Sequence, residues 1–365
     1  MSEGKKILLV GPLNADGVGG RLEEMKVWAN ALRHASCEVS VFTMFNAQAY
    51  FGSIPVYESI DVLARISSNS PLRKFALRIW ASKPFKKQRD KFYLSKEWEI
   101  FSNHFDHIIL FITDSSRERL IFESSSQTSI LLRFTGTIFD FTNLKRDAGL
   151  ISLPFRKYVF HDPALLFGYK PDIPTCFVDQ TAIEEKKLLQ IPIASSVTTF
   201  AMIGLFMEVK QVQEVILKFV QFPELKLLIF GKGELESVYE KLITQNKLAN
   251  VEIRGFYPSS QMDQMYSQFD ALIINSTEET GPMTGVEAMA AGKIVLSKRI
   301  GAMPGRLADE QLLIDANNSL ENAIESLLKA DMETITEIRT RLRNRYIESY
   351  SNESISHKIA QVTLN

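Results

Sequence analysis

The chain has 365 residues, 45% of them hydrophobic and 23% charged, with a formal net charge of −1. At roughly 150 residues per domain this length predicts two domains with sizeable cores, and the composition excludes a disordered chain. The balanced charge argues against a nucleic-acid protein as a whole, so only local patches matter. Two cysteines, Cys37 and Cys176, stand far apart with no CxxC spacing, which gives no disulfide framework and points to a reducing cytosol. Near the N-terminus the apolar run ILLV is too short for a signal sequence and is stopped by Gly11 and Pro12. Nowhere do about 18 apolar residues run together, so no membrane-spanning segment is expected.

In chain order, KILLV (6–10) reads as a buried strand, and GPLNADGVGG (11–20) follows it. A helix is predicted over Arg21–Ala35, and then strands at 38–42 (EVSVF), 107–112 (HIILFI) and 129–132 (SILL). A proline-bearing seam at 171–196 separates these from a second set: strands at 197–204, 225–230, 250–255, 271–275 and 293–297. Helical stretches lie between them at Lys210–Phe222 and Glu234–Asn246. Solid apolar runs alternating with helices predict parallel sheets buried on both faces. The domains are expected at 1–175 and 176–345. After Tyr346, residues Ile355, Ile359 and Val362 fall at helical spacing, which predicts that 346–365 return as a helix to the first domain.

Three loops carry chemistry. Gly17, Gly19 and Gly20 precede a helix, where small residues let backbone N–H groups approach an anion. Neither the dinucleotide fingerprint nor a P-loop is present, and the next strand lacks an acid to hold a ribose. Lys210 falls at a strand-to-helix junction, and Gly231 and Gly233 directly follow a strand; taken singly, each also fits an ordinary turn or surface residue. The stretch Glu278–Gly292 reads EETGPMTGVEAMAAG. On one continuous helix Glu279 and Glu287 would be about 12 Å apart along the axis. Gly281 and Pro282 instead predict Glu279 in the loop, Pro282 at the first helical position and Glu287 about a turn inside. Carboxylates so placed accept hydrogen bonds from sugar hydroxyls, whereas phosphates favour the helix N-terminus.

Glu279, Glu287 and the intact EAMAAG resemble the retaining glycosyltransferases of family four (glycosyl transferases group 1). So do GVGG, Ile203-Gly204 with Lys210, and the FGKGELE turn. The resemblance implies an α/β GT-B fold: two Rossmann-like domains facing each other across a cleft, with a C-terminal helix crossing back. It implies catalytic roles for Lys210, which would neutralise the leaving phosphate, and for Glu279, which would touch sugar hydroxyls. Glu287 would hold the donor ribose, and the backbone around Gly281, Met283 and Thr284 would cradle the diphosphate. Gly204, Gly231 and Gly233 would line the donor site, and Gly19 and Gly20 would close it from the first domain. No metal or cofactor is implied.

Departures from the family pattern are Leu205 in place of an arginine, with Arg21 and Arg299 as candidate substitutes, and ETGPM in place of the commoner glycine-rich form. In the first domain Arg133 and Thr135 stand where a histidine is common. Residues 71–96 hold nine Lys and Arg against Asp90 alone, interleaved with Phe75, Trp80, Phe85, Phe92 and Tyr93. That mixture suits an anionic membrane surface, an acidic or lipid-diphosphate acceptor, or equally a solvated helix face; no RNA-binding module accompanies it. The expected function is therefore transfer of a sugar from a nucleotide-diphosphate sugar to a glycan or lipid-linked acceptor, in bacterial surface polysaccharide synthesis. The expected place is cytoplasmic, peripheral on the inner face of the membrane. The rival expectations are a non-catalytic sugar-nucleotide-binding partner and an epimerase or phosphorylase of the same architecture.

Overall fold

A computed structural model describes residues 4–11, 20–43, 48–58, 96–112, 119–123, 127–138, 141–150, 153 and 156–365. The basic stretch at 71–95, Gly17 and Gly19 lie outside the described residues. The chain divides into two compact units, Met1–Val178 with Ser356–Asn365, and Asp179–Ile355. Among the described residues no helix is long and apolar enough to cross a membrane.

The first unit holds a parallel sheet of β1 (Lys6–Val10), β2 (Glu38–Thr43), β3 (Val56–Glu58), β4 (His107–Ile112), β5 (Ser129–Phe134), β6 (Arg156–Phe160) and β7 (Thr175–Phe177), in the order β3-β2-β1-β4-β5-β6-β7. Alternate residues Leu8, Val10, Ile108, Leu110, Ile130, Leu132 and Tyr158 line one core face. The intervening Leu9, Ile109, Phe111 and Leu131 are equally buried. Phe111 meets Trp28 of helix Gly20–His34, the ring centroids 5.7 Å apart at 88°. Burial on both faces is why these strands are unbroken apolar runs.

Strands β3, β6 and β7 escape the sequence pattern. β6 opens on Arg156, whose guanidinium is buried but donates to Phe122 O (3.1 Å) and Thr128 O (3.0 Å). Charge at a strand start hides it from an apolar-run criterion. β7 sits inside 171–196, the stretch read as a bare seam, which also holds helix Glu185–Leu188. The prolines there do not forbid an edge strand, because Pro174 only accepts, its carbonyl taking the Tyr158 N–H at 2.9 Å.

The second unit is built on β8 (Thr199–Leu205), β9 (Lys226–Lys232), β10 (Val251–Gly255), β11 (Ala271–Ile274), β12 (Ile294–Lys298) and β13 (Leu313–Ile314), ordered β10-β9-β8-β11-β12-β13 and all parallel. The chain winds outward in one direction from β8 and in the other from β11. The crevice at the carboxyl ends of those two strands is where such sheets bind ligands. Helix Met332–Ser349 packs across helix Met283–Ala290, with Arg343 Nε donating to Ala290 O at 3.1 Å. Helix Asn352–Leu364 ends the chain; Ile355 and Ile359 are buried, and Lys157 Nζ donates to Val362 O at 3.2 Å.

Candidate active site

At the end of β8 the backbone turns through Glu208–Lys210, a single 3-10 turn closed by Gln211 in the left-handed region (φ 51°). The loop after β11 is tied to it: Thr277 N donates to Val209 O (2.9 Å), and Asn275 Nδ2 to Gln211 O (3.2 Å) and Glu214 Oε2 (2.8 Å). This juxtaposition brings Lys210 Nζ into an ion pair with Glu279 Oε1, which also accepts from Ser276 Oγ at 3.1 Å. Both side chains are part-buried, and the crevice lined by Gly204, Lys210, Glu279 and Thr284 encloses about 20 Å³. Gly204 makes room for the lysine, since a Cβ there would sit 3.3 Å from Lys210 Cε.

Helix Met283–Ala290 starts beside the pair. Pro282 is its N-cap, one place earlier than the sequence suggests, and no side chain caps the first turn. The amides of Met283 and Thr284 have no acceptor within the helix by its geometry, which leaves them directed at whatever sits before it. Glu287 follows in the second turn, 2% exposed, with Oε2 accepting from Tyr266 Oη at 2.9 Å. Burial, and then the adjacent carboxylate, push the Tyr266 hydroxyl well above its ordinary pKa, so it is a fixed donor.

The loop between these carboxylates is held from below. Arg306, fully buried, donates from Nη1 to Pro282 O (2.7 Å), from Nε and Nη2 to Asp179 (3.0 and 2.5 Å), and from Nη2 to Gln180 Oε1 (3.1 Å). Gly281 must be glycine for this, because a Cβ would lie 2.6 Å from Arg306 Nη2. Ala302 N binds Thr280 O at 2.8 Å, and Gly301 (φ 51°) approaches so closely that a Cβ would be 2.3 Å from the same carbonyl.

Residues 184–349 match the family described as glycosyl transferases group 1. The second unit is a glycosyl transferases group 1 domain. No curated protein matches the chain. Among solved structures it is similar to a glycosyltransferase from Rickettsia africae ESF-5, at 15% identity over 98% of each chain with a TM-score of 0.72. It is similar to Anabaena HepE in complex with UDP and glucose, at 16% identity over 98% of each chain with a TM-score of 0.68. The same coverage and TM-score, at 15% identity, relate it to the lipopolysaccharide outer core galactosyltransferase WaaB in its apo form. The fold is GT-B.

Within the glycosyl transferases group 1 domain, the structure brings together Gly204, Lys210, Glu279, Gly281, Met283, Thr284 and Glu287 at the carboxyl ends of β8 and β11. Gly231 and Gly233 sit one strand over and have a packing reason of their own. A Cβ on Gly231 (φ 142°) would lie 1.8 Å from Gly204 O, and one on Gly233 would lie 2.6 Å from Phe206 O. Gly20 begins the first helix of the other unit. Leu205 is 54% exposed at the end of β8. Arg299, one suggested substitute, is committed elsewhere, to Glu310 and to Asp315 (Nε to Oδ2 2.7 Å).

Sequence reasoning missed Arg306, Asp179 and Tyr266. An arginine one helix away and a carboxylate over a hundred residues earlier carry no local signal. In the first unit Arg133 is not presented to solvent: it is fully buried, its Nε 2.6 Å from Glu24 Oε1 and its guanidinium 5.6 Å from the Trp28 ring. His161 Nε2 stands 3.3 Å from Glu24 Oε2. Burial opposes the Glu24 charge, yet Arg133 and His161 together hold its pKa far below the carboxylate range. Thr135 is tied to β4, Oγ1 donating to Ile112 O at 2.7 Å. Among the described residues no group of three His, Cys, Asp or Glu is arranged to hold a metal.

Proposed function

We propose that the protein is a retaining glycosyltransferase that moves a sugar from a nucleoside diphosphate sugar to a glycan or lipid-linked acceptor. The observation that carries this is the meeting of Lys210 with Glu279 beside an uncapped helix start that has Glu287 buried in its second turn. Helix dipole, first-turn amides and Lys210 together suit a diphosphate, and the flanking carboxylates suit hydroxyls. In transfer, the bond between the anomeric carbon and the diphosphate oxygen breaks, and the acceptor oxygen bonds to that carbon from the same face. The acceptor proton leaves with the departing phosphate. As that bond breaks, and before the proton arrives, charge accumulates on the leaving oxygen, where Lys210 and the amides stabilise it without a metal.

Surface polysaccharide assembly is the setting this reading favours, given the likeness to a lipopolysaccharide galactosyltransferase. The basic and aromatic residues of 71–96 support a place on the inner face of the membrane. Exposed Leu205 favours a second reading, a partner that binds sugar nucleotides without turnover. A thermal-shift screen across nucleoside diphosphate sugars, followed by product detection with the stabilising donor, separates the two. A rise in apparent melting temperature with transfer supports the enzyme, a rise without transfer the partner, and no rise for any donor defeats both.

A further inference from the structure

The donor site just proposed leaves open which base it takes, and the inference below rests on that reading. At the carboxyl ends of β8, β9 and β10 lies a recess of about 210 Å³ lined by Ile203, Phe230, Tyr257, Met262 and Met265. Phe256, directly after β10, also lines it and is 61% exposed. A large aromatic face left in water beside an apolar recess is a ready surface for a planar base, which stacks on any such ring.

Lys232, the last residue of β9, places Nζ 4.7 Å from the centroid of that ring. Its neighbours at this sheet edge all face carboxylates: Lys210 meets Glu279, Lys298 meets Glu214 and Arg299 meets Asp315. Lys232 makes no ion pair among the described residues, so its charge remains available. Its position is built rather than incidental. Gly231 and Gly233 on either side press against Gly204 O and Phe206 O so closely that no side chain fits, which fixes the strand end that carries it.

We propose that Lys232 and Phe256 read the base of the nucleotide donor, the ring by stacking and Nζ by donating to a base carbonyl. An ammonium has three donors and no acceptor. Uracil and guanine offer a carbonyl (O4, O6) where cytosine and adenine offer an amino group (N4, N6), and two donors face to face leave both unpaired. The site therefore takes a uracil or guanine nucleotide and resists cytosine and adenine.

The test is calorimetric titration of the full chain with UDP, GDP, CDP and ADP. The wild type is expected to bind UDP or GDP about tenfold more tightly than CDP and ADP. Lys232→Met keeps the stem over the ring but no donor, and brings those affinities within about twofold of one another. Phe256→Ala weakens all four together. Equal binding of all four by the wild type, or preference for ADP or CDP, overturns the assignment. So does a Lys232→Met protein that weakens all four diphosphates alike while leaving nucleosides untouched, since that would put Lys232 on phosphate. Absence of binding by any nucleoside diphosphate defeats the donor site itself and this assignment with it.

Discussion

Lys210 and Glu279, 69 residues apart in the chain, form an ion pair at the crevice between β8 and β11. Each faces the other's charge, so on the proposed reading a donor diphosphate has to take the lysine from the glutamate as it enters. On the proposed mechanism, replacing Lys210 by Ala removes a charge that matters most when the leaving phosphate forms. We expect kcat to fall about 10²- to 10³-fold, with a smaller loss of donor affinity because the helix amides remain. Steady-state kinetics beside direct titration decides it; equal losses in both would make Lys210 a binding residue only.

Glu279→Gln should separate the two halves of that pair. It removes the competitor for Lys210, so a bare nucleoside diphosphate is expected to bind several-fold more tightly. If Glu279 holds sugar hydroxyls as proposed, the same change weakens that acceptor, and turnover is expected to fall. Weaker diphosphate binding by this variant would mean that the pair shapes the site rather than blocking it.

Glu287 and Tyr266 form a second coupled pair, with the hydroxyl donating to Oε2 at 2.9 Å. Glu287→Ala is expected to cost at least tenfold in nucleotide affinity through lost ribose contacts. Tyr266→Phe only frees the carboxylate to turn, a loss of about 1 kcal/mol or roughly fivefold. Calorimetry on both variants with a ribonucleotide and its 2′-deoxy analogue checks the assignment. An unchanged ribo-to-deoxy ratio in Glu287→Ala would remove the ribose from this carboxylate.

The longer apolar strands of both sheets and the loop-to-helix step at Glu279–Glu287 were legible because their causes are local, whereas β3, β6, β7 and β13 were not. Apolar runs mark strands buried on both faces, and Gly281 with Pro282 marks where a helix begins. What supports the loop was not legible. Arg306 reaches Pro282 and Asp179 through space, and nothing in MPGRL distinguishes a buried arginine from a solvated one. Gly231 illustrates the converse: its position in FGKG was plain, but the close approach of Gly204 O on the next strand, which also demands a glycine there, was not. Arg133 stood out in sequence only as a residue where the family commonly has a histidine, and the packing of Glu24 and Trp28 shows it to be part of an interior ion pair.

Arg306 and Asp179 hold the loop between the two glutamates, and both are buried. Breaking such a pair from one side strands a charge, which typically costs about 3–5 kcal/mol. Arg306→Met should therefore lower the melting temperature of the second unit by roughly 10 °C. Arg306→Lys should recover little, because an ammonium cannot reach Pro282 O and both Asp179 oxygens at once. Differential scanning calorimetry reads both; a melting temperature within a degree of wild type would show the loop to be held by other contacts.

Lys293 precedes β12, is 4% exposed, and has Nζ 5.8 Å from the Phe269 ring. Burial, and then the positive charge of Arg339 and Arg343 outweighing Asp270, bring its pKa down to about 8 from 10.5. Between those values the unfolded chain holds this proton more firmly than the folded one, so stability from this group rises with pH. The cost is fully present below pH 8 and is relieved as pH climbs toward 10.5, with a slope approaching about 1.4 kcal/mol per pH unit. Lys293→Met, close in shape and uncharged, should be more stable than wild type at pH 7, and the gap should narrow between pH 8 and 10. Urea unfolding of both proteins across that range gives the difference directly, free of other titrating groups they share. A gap that does not change with pH would show that Lys293 keeps its proton in the folded protein throughout.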